Sequence, residues 1–466
     1  MNVVIDADGE FDTQVPLLIV GAGASGLCAA LAAREGDTEV IVIERDPVPS
    51  GSTALSAGLV PAAGTRFQRD KGVDDSPEQF IADLQRKARG EADPVLVNVV
   101  ARESARLIEW LADRHGLPFS LVDNFLYPGH SALRMHGLPS RSGRELVDRL
   151  RKTAEANDVV IVVEATVDTL VAAPDGHVRG VAIVRGNGRR ERIGCDVLIL
   201  ACSGYGGNPE LVRRFIPEMA GALYFGHPGN RGDAVLWGEA LGAKLACLSA
   251  YQGHGSVATP HNILITWAVI TEGGFQVNAT GCRFCDESRG YSEQAAEVLR
   301  QPGGIAWNVF DERIAGIARQ FEDFRSAERA GAILSADNIG DLACAMHMPA
   351  DPLAAEWQSV ERAKASGGRD RFGRRFSPKQ KLAPPFHAVR VTGALFHTQG
   401  GLAVDATGRV KRLNGDVFPN LFAAGGAAVG ISGNGAAGYL SGNGLLTAMT
   451  LGRLAGRAAG AQLAAP

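Results

Sequence analysis

A surplus of one charge is missing from this sequence. Its 47 Lys+Arg stand against 51 Asp+Glu, a formal net charge of -4. That balance argues against an electrostatic nucleic-acid binder, which shows a clustered basic excess. A long apolar run is missing too. No stretch of about 18 residues lacks charges or Gly, so no membrane span is expected. Cysteine is sparse and odd in number, seven in 466 residues, which argues against a disulfide scaffold. Cys282-x-x-Cys285 has no following His and so is no haem-attachment site, and no other cysteine pair has zinc spacing, so no metal is expected. The acidic start, MNVVIDADGEFDTQ, does not read as a signal peptide. A soluble, cytoplasmic protein of a reducing compartment is the expectation. Tyrosine is scarce at six residues, so a tyrosine beside a motif carries weight.

What is present is ordinary globular composition, 45% apolar and 21% charged, which excludes disorder over most of the chain. Glycine is the outlier. The chain holds 58, against a usual share of about 7%, and they cluster as in loops where backbone approaches a ligand closely. At roughly 150 residues per domain the length suggests two or three domains.

PLLIV (16–20), GAGASG, the helix-forming LCAALAAREG and EVIVIERD read as strand, glycine turn, helix, strand: a βαβ unit opening a parallel sheet. Residues 159–171 and 178–184 read as strands around Pro174-Asp175-Gly176, and CDVLILACSGYGG (195–207) as a buried strand running into a glycine turn. From about 249 to 384 polar loops and short helical patterns dominate, with GGRDRFGRRFSPKQK (367–381) read as a solvated surface loop. Strand texture returns at 386 and ends in a helix over 448–465, with 461–466 fraying. The predicted fold is α/β: a discontinuous Rossmann-type domain (1–248 and 385–466) interrupted by an α+β domain (249–384).

Gly21-x-Gly23-x-x-Gly26 stands between strand and helix. The first glycine permits the turn, the second lets backbone approach a pyrophosphate, and the third permits close packing, with the helix N-terminus facing the negative charge. Glu44 follows Gly26 by 18 residues, where a carboxylate accepts from an adenosine ribose. The expectation is dinucleotide binding. The motif alone leaves FAD and NAD open.

Three further segments resemble one family: the small-residue loop Gly51-Ser52-Thr53-Ala54-Leu55-Ser56-Ala57-Gly58, Ala201-Cys202-Ser203-Gly204, and Leu421 to Gly426. Together with the fingerprint they resemble the flavoproteins that include fumarate reductases, succinate dehydrogenases and 3-ketosteroid dehydrogenases, over nearly the whole chain. The resemblance implies FAD lying across the first domain. It implies cofactor contacts from Gly21, Gly23, Ala24, Ser25, Gly26, Glu44, Arg45, Ser52, Thr53, Ser56, Ala57, Gly58, Val167, Ala201, Gly204, Gly425, Gly426, Gly442, Gly444 and Leu445. Covalent members use a His just after the acidic strand. Residues 47–58 contain none, so noncovalent FAD is expected.

The inserted segment resembles the family's capping domain, and the active site is expected where the two domains meet. His254 resembles a substrate-pocket histidine, Thr271-Glu272 the family's Thr-Glu pair, and Gly281 to Glu287 its Gly-x-Arg-Phe-x-Asn-Glu turn, which makes Cys282 and Cys285 structural filling. His397-Thr398-Gln399-Gly400-Gly401 resembles the His-Thr-x-Gly-Gly of fumarate reductases. Two departures stand out. Fumarate reductases place a proton-donating Arg where this chain has Tyr291, and a carboxylate-holding Arg where it has Tyr439. A tyrosine cannot form the bidentate carboxylate pair that Arg forms. Tyr439-Leu440-Ser441 is similar to the Tyr-x-Ser of Δ4 ketosteroid dehydrogenases.

The resemblance implies desaturation of a ring ketone. A phenol and a backbone N–H near 442–444 form an oxyanion hole, a second tyrosine takes the proton, and the flavin takes the hydride. Expected catalytic residues are Tyr291, Tyr439, Ser441, His254 and His397, with Thr271, Glu272 and Tyr127 (in LYPGH) lining the pocket. Tyr127 reads more readily as part of a surface loop. The expected partners are a small-molecule substrate bearing a ketone and a polar or anionic group, and an external electron acceptor. The alternatives are a fumarate reductase-like enzyme acting on an activated C=C of a carboxylate, a flavin-binding protein without turnover, and a protein-binding module.

Overall fold

The computed structural model describes residues 2–465. The chain divides into two compact units, Met1–Ile216 with Gly226–Tyr251 and His397–Pro466, and Pro217–Phe225 with Gln252–Phe396. Each has its own apolar core.

The first unit is built on a nine-stranded sheet. Thr13–Val20 pairs in parallel with Val40–Ile43 on one side and Arg190–Leu200 on the other. Leu17, Leu18 and Ile19 are fully buried, as a central parallel strand covered on both faces requires. The segment expected as one strand over 159–171 is two. Val160–Val162 extends the parallel sheet, Glu164 takes a positive φ of 52°, and Ala165–Ala172 pairs antiparallel with Val178–Arg185. Val417–Ala423 joins in parallel beside the C-terminal end of Arg190–Leu200.

Ala24–Arg34 is an Ala-rich helix buried along nearly its whole length. It packs on the last helix, Asn443–Ala464, through glycines of that helix. A Cβ on Gly452 would lie 2.2 Å from the Ser25 carbonyl, and one on Gly456 would lie 2.0 Å from that of Ala29. These glycines therefore serve helix packing, not a ligand loop. The last helix runs through Ala464. Gln462 donates to the Pro419 carbonyl at 3.1 Å and accepts from Arg409 at 2.8 Å, so the fraying expected from 461 does not begin there. Pro466 lies outside the described residues.

The second unit holds a seven-stranded sheet around the long strand Phe386–Thr398. That strand pairs antiparallel with Ile305–Asp311 and in parallel with Leu223–Tyr224. This pairing is why the unit extends to Phe396 instead of ending at 384, and why it takes in Pro217–Phe225. In the basic run 367–381 Arg369, Arg371, Arg375, Lys379 and Lys381 are exposed, as expected of a solvated loop, but one arginine turns inward. Arg374 is 3% exposed; it reaches Glu287 at 2.9 Å and donates to the carbonyls of Gly274 and Ile270. Arg283 pairs with Glu287 at 2.8 Å and with Asp370 at 2.6 Å. Two buried cations and two buried anions thus close this turn, and each charge has a partner as burial demands. The Cys285 thiol lies 3.2 Å from the Gln294 amide, and burial pushes its pKa up to about 12, so it is an inert filler. No helix among the described residues is long and apolar enough to cross a membrane.

Candidate active site

The fingerprint turn shows why each glycine is needed. Gly21 has φ +109°, and a side chain there would meet the Ala201 carbonyl at 2.5 Å. One on Gly26 would meet the Gly21 carbonyl at 1.9 Å. At Gly23 a Cβ would meet only Thr53 Oγ1, at 3.4 Å. That side of the turn is open, as an approaching pyrophosphate requires. Ala24 N–H donates to Thr53 Oγ1 at 3.0 Å. Glu44 sits just past its strand and accepts from Ala22 N–H at 2.8 Å and from Asp46 N–H at 3.0 Å. Its carboxylate therefore holds the fingerprint loop, and a carboxylate has about four acceptor sites, so capacity for ribose hydroxyls remains.

Around this turn the other small-residue segments converge. Gly425 lies against Ser25, and Gly204 lies against Gly426 and Thr398. Arg45 pairs at 2.7 Å with Asp233, which is 2% exposed and whose pKa burial raises. Asn230 donates to Ser52 Oγ at 2.8 Å. Asp233 Oδ1 and Ser25 Oγ are buried without a hydrogen-bond partner in the protein. Buried polar atoms without partners are costly, and a bound dinucleotide's hydroxyls and phosphate oxygens fit both. The residues present therefore suit FAD. Asn230 and Asp233 were not expected from the sequence; the run Gly229-Asn230-Arg231-Gly232-Asp233 at a helix start was the available signal. Ser56 bonds the Thr53 carbonyl at 2.7 Å, and Gly58 packs on Ser142, so both shape the local turn. Ala57 is exposed, while Val167 belongs to the apolar core. Leu445 lies in the first turn of the last helix.

A second cluster in the same unit surrounds the start of the last helix. Gly442 caps that helix with φ +84°. The backbone N–H groups of Gly444 and Gly442 face the Tyr439 oxygen, but burial outweighs them and pushes the phenol up to about 12. Tyr439 is therefore a protonated phenol, fixed by a helix N-terminus. The His397 ring stands 5.5 Å from that of Tyr439 at 75°. A Cβ on Gly444 would lie 2.9 Å from His397 Cε1, so this position must be glycine for the histidine to sit there. Burial pushes His397 down to about 4. The Ser441 carbonyl accepts from His130 Nε2 at 3.0 Å, and burial takes His130 to about 4. His130 was not singled out from the sequence, although it ends the LYPGH segment. Tyr127 is half-buried, packs on Leu59, Val122 and Met135, and its pKa is raised by burial.

The second unit carries an aromatic column. His254 is stacked on Tyr291 (5.0 Å, 20°) and on Phe396 (5.6 Å, 24°), and meets Trp267 edge-on. Phe396 in turn stacks on Phe225 at 5.0 Å. Tyr291 opens the helix Tyr291–Leu299, and His254 lies in the strand Tyr251–Ala258. Trp267, Phe396 and Phe225 belong to no motif, so no sequence signal singles them out. His254 Nδ1 has no partner, and burial drives its pKa down to about 3. Both expected pocket histidines are thus uncharged. A neutral ring suits a hydrogen bond better than an ion pair with an anion. Thr271 bonds the carbonyls of Trp267 and Ala268, while Glu272 faces Arg313 at 3.5 Å. Neither of those contacts involves His254 or Tyr291.

The family model for the FAD binding domain matches residues 17–445. The probable fumarate reductase Ifc3 of Shewanella frigidimarina is 32% identical over 95% of this chain and 74% of its own. Among solved structures, the open conformation of a flavocytochrome c3 fumarate reductase is 30% identical with a TM-score of 0.83, covering 97% of this chain and 79% of that one. The 3-ketosteroid-delta4-(5alpha)-dehydrogenase of Rhodococcus jostii RHA1 shares the fold, with a TM-score of 0.81 at 24% identity over 99% of this chain and 100% of that one. The chain belongs to this family of FAD-binding flavoproteins and is an FAD-dependent oxidoreductase acting on CH–CH groups.

Proposed function

We propose that the enzyme desaturates a ring ketone, a ketosteroid or a smaller oxo-ring compound, to its enone. Tyr439 carries this reading. A phenol held protonated by burial, with helix N-terminal amides facing its oxygen, is a donor suited to a carbonyl oxygen that becomes an enolate. With the carbonyl so polarised the α-carbon gives up a proton, and Tyr291 is the residue we assign as its acceptor. Noncovalently bound FAD supplies the acceptor for the hydride lost by the neighbouring carbon. His397 Nε2–H adds a second neutral donor. Gln252–Phe396 acts as the substrate-capping domain, and the electrons leave to an external carrier or to oxygen.

A second reading is reduction of a C=C activated by a carboxylate. The name of the 32% identical relative, a probable fumarate reductase, favours it. Anaerobic mixing separates the two. Bleaching of the flavin by saturated cyclic ketones supports desaturation. Bleaching by succinate, or reoxidation of the reduced enzyme by fumarate but not by cyclic enones, supports the second reading and refutes the first.

A further inference from the structure

We propose that Gln399 is a positioning residue that locks His397 as an uncharged donor through Nε2, so that the site selects a neutral oxygen, carbonyl or hydroxyl, over a carboxylate. The inference rests on the ring-ketone reading for its substrate class, but the lock itself is read from the geometry behind His397.

Gln399 Nε2 lies 2.9 Å from His397 Nδ1. The other end of the amide is held: Ser432, 1% exposed, donates its hydroxyl to Gln399 Oε1 at 3.1 Å. The backbone is tied on both sides, N–H to the Ala250 carbonyl and carbonyl to Gly430 N–H, each at 2.8 Å. Gly430 is itself crowded by the amide, since a Cβ there would lie 2.9 Å from Gln399 Oε1. With Oε1 on Ser432, the amide presents N–H to the imidazole. An N–H donor on Nδ1 requires a lone pair there, which places the ring proton on Nε2. The competing partner of Nδ1, the Thr398 carbonyl, stands at 3.4 Å, a weak contact beside one of 2.9 Å.

The same contact opposes protonation, because an imidazolium would set Nδ1–H against the amide N–H. Burial acts in the same direction, and the Thr398 carbonyl opposes it only in part. The groups facing the ring are the Tyr439 phenol and Gly444 from the start of the last helix, with Gln399 and the Thr398 carbonyl behind it. None of them is a carboxylate that would stabilise a charged ring. Tyr439 and His397 together then offer two uncharged donors. A carboxylate, which gains most from a cation, is left poorly matched.

The test uses the flavin-loaded enzyme with 15N-labelled histidine. In the parent, His397 should show the Nε2–H tautomer and stay neutral between about pH 5 and 8. Gln399→Glu replaces the donor with an acceptor and should make His397 titrate within that range. Gln399→Met, which keeps the size, should lose the tautomer preference without adding charge. In parallel, cyclohexanone and succinate are titrated against the flavin absorbance. Gln399→Glu should shift the ratio of the two affinities toward succinate by about tenfold or more at the acid end, and Gln399→Met should not. An Nδ1–H tautomer or an ionising His397 in the parent would overturn the assignment. So would an unchanged spectrum and affinity ratio in Gln399→Glu. If the spectra behave as described but the parent does not bind cyclohexanone, the lock stands and the ring-ketone reading fails.

Discussion

Tyr439→Phe removes one oxygen and nothing else from the cluster at the start of the last helix. The ring keeps its place, 5.5 Å from His397, and the N–H groups of Gly442 and Gly444 lose the oxygen they face. If that phenol polarises the substrate carbonyl, the variant forfeits one preorganised donor, worth about 10²–10³ in rate, or roughly 3–4 kcal/mol. Substrate affinity should change much less, because the donor acts most strongly on the charge that develops on the enolate oxygen. The assay is the reductive half-reaction by anaerobic stopped flow, with the limiting rate and the apparent dissociation constant taken from the same concentration series. Because Tyr439 is pushed up to about 12, the parental limiting rate should show no step from this phenol below about pH 10. A variant that reduces its flavin within about threefold of the parent, well short of what losing an oxyanion donor costs, would refute the oxyanion role.

Tyr291→Phe should slow flavin reduction by about 10²–10⁴ while leaving binding nearly intact, and reduction at the parental rate makes Tyr291 a pocket wall. Acid precipitation should release free FAD, since a bound flavin that stays with the pellet contradicts noncovalent binding. Gly23→Val should abolish flavin retention yet leave the apoprotein folded, because a Cβ there meets only Thr53 at 3.4 Å; a variant that keeps its flavin removes the pyrophosphate from this turn. Stability should fall as pH drops. His254, His397 and His130 are depressed to about 3, 4 and 4 by burial, so the stability they contribute is complete above their unfolded value near pH 6.5 and is lost through about pH 4. Urea midpoints measured between those limits check it, and a flat profile means the rings are solvated.

The βαβ opening was legible because its signals are local. A short apolar run, three glycines at fixed spacing and an acid at the next strand end are set by one turn's geometry. The same holds for Tyr439 and Gly442 to Gly444, which lie together in the sequence and in space. The aromatic column was not legible. His254, Tyr291, Phe396 and Phe225 come from four separate segments, and only the sheet around Phe386–Thr398 brings them to stacking distance. One residue of the basic run 367–381 was hidden for a related reason. Arg374 reads as solvated with its neighbours until Glu287, far off in sequence, is known to face it. Gly452 and Gly456 of the last helix belong to no motif, and only the crossing helix shows why they are needed.

In the proposed reaction two uncharged donors, Tyr439 and His397, act on a ketone oxygen. The most direct measurement compares an oxo-ring carboxylic acid, its methyl ester and the plain ring ketone as reductants of the flavin under anaerobic conditions. With His254 and His397 neutral, all three should bleach the flavin, and the ester should match the acid within a few fold. Reduction by the acid alone would contradict the uncharged site, and reduction by succinate with none by any of the three would contradict the ketone chemistry altogether.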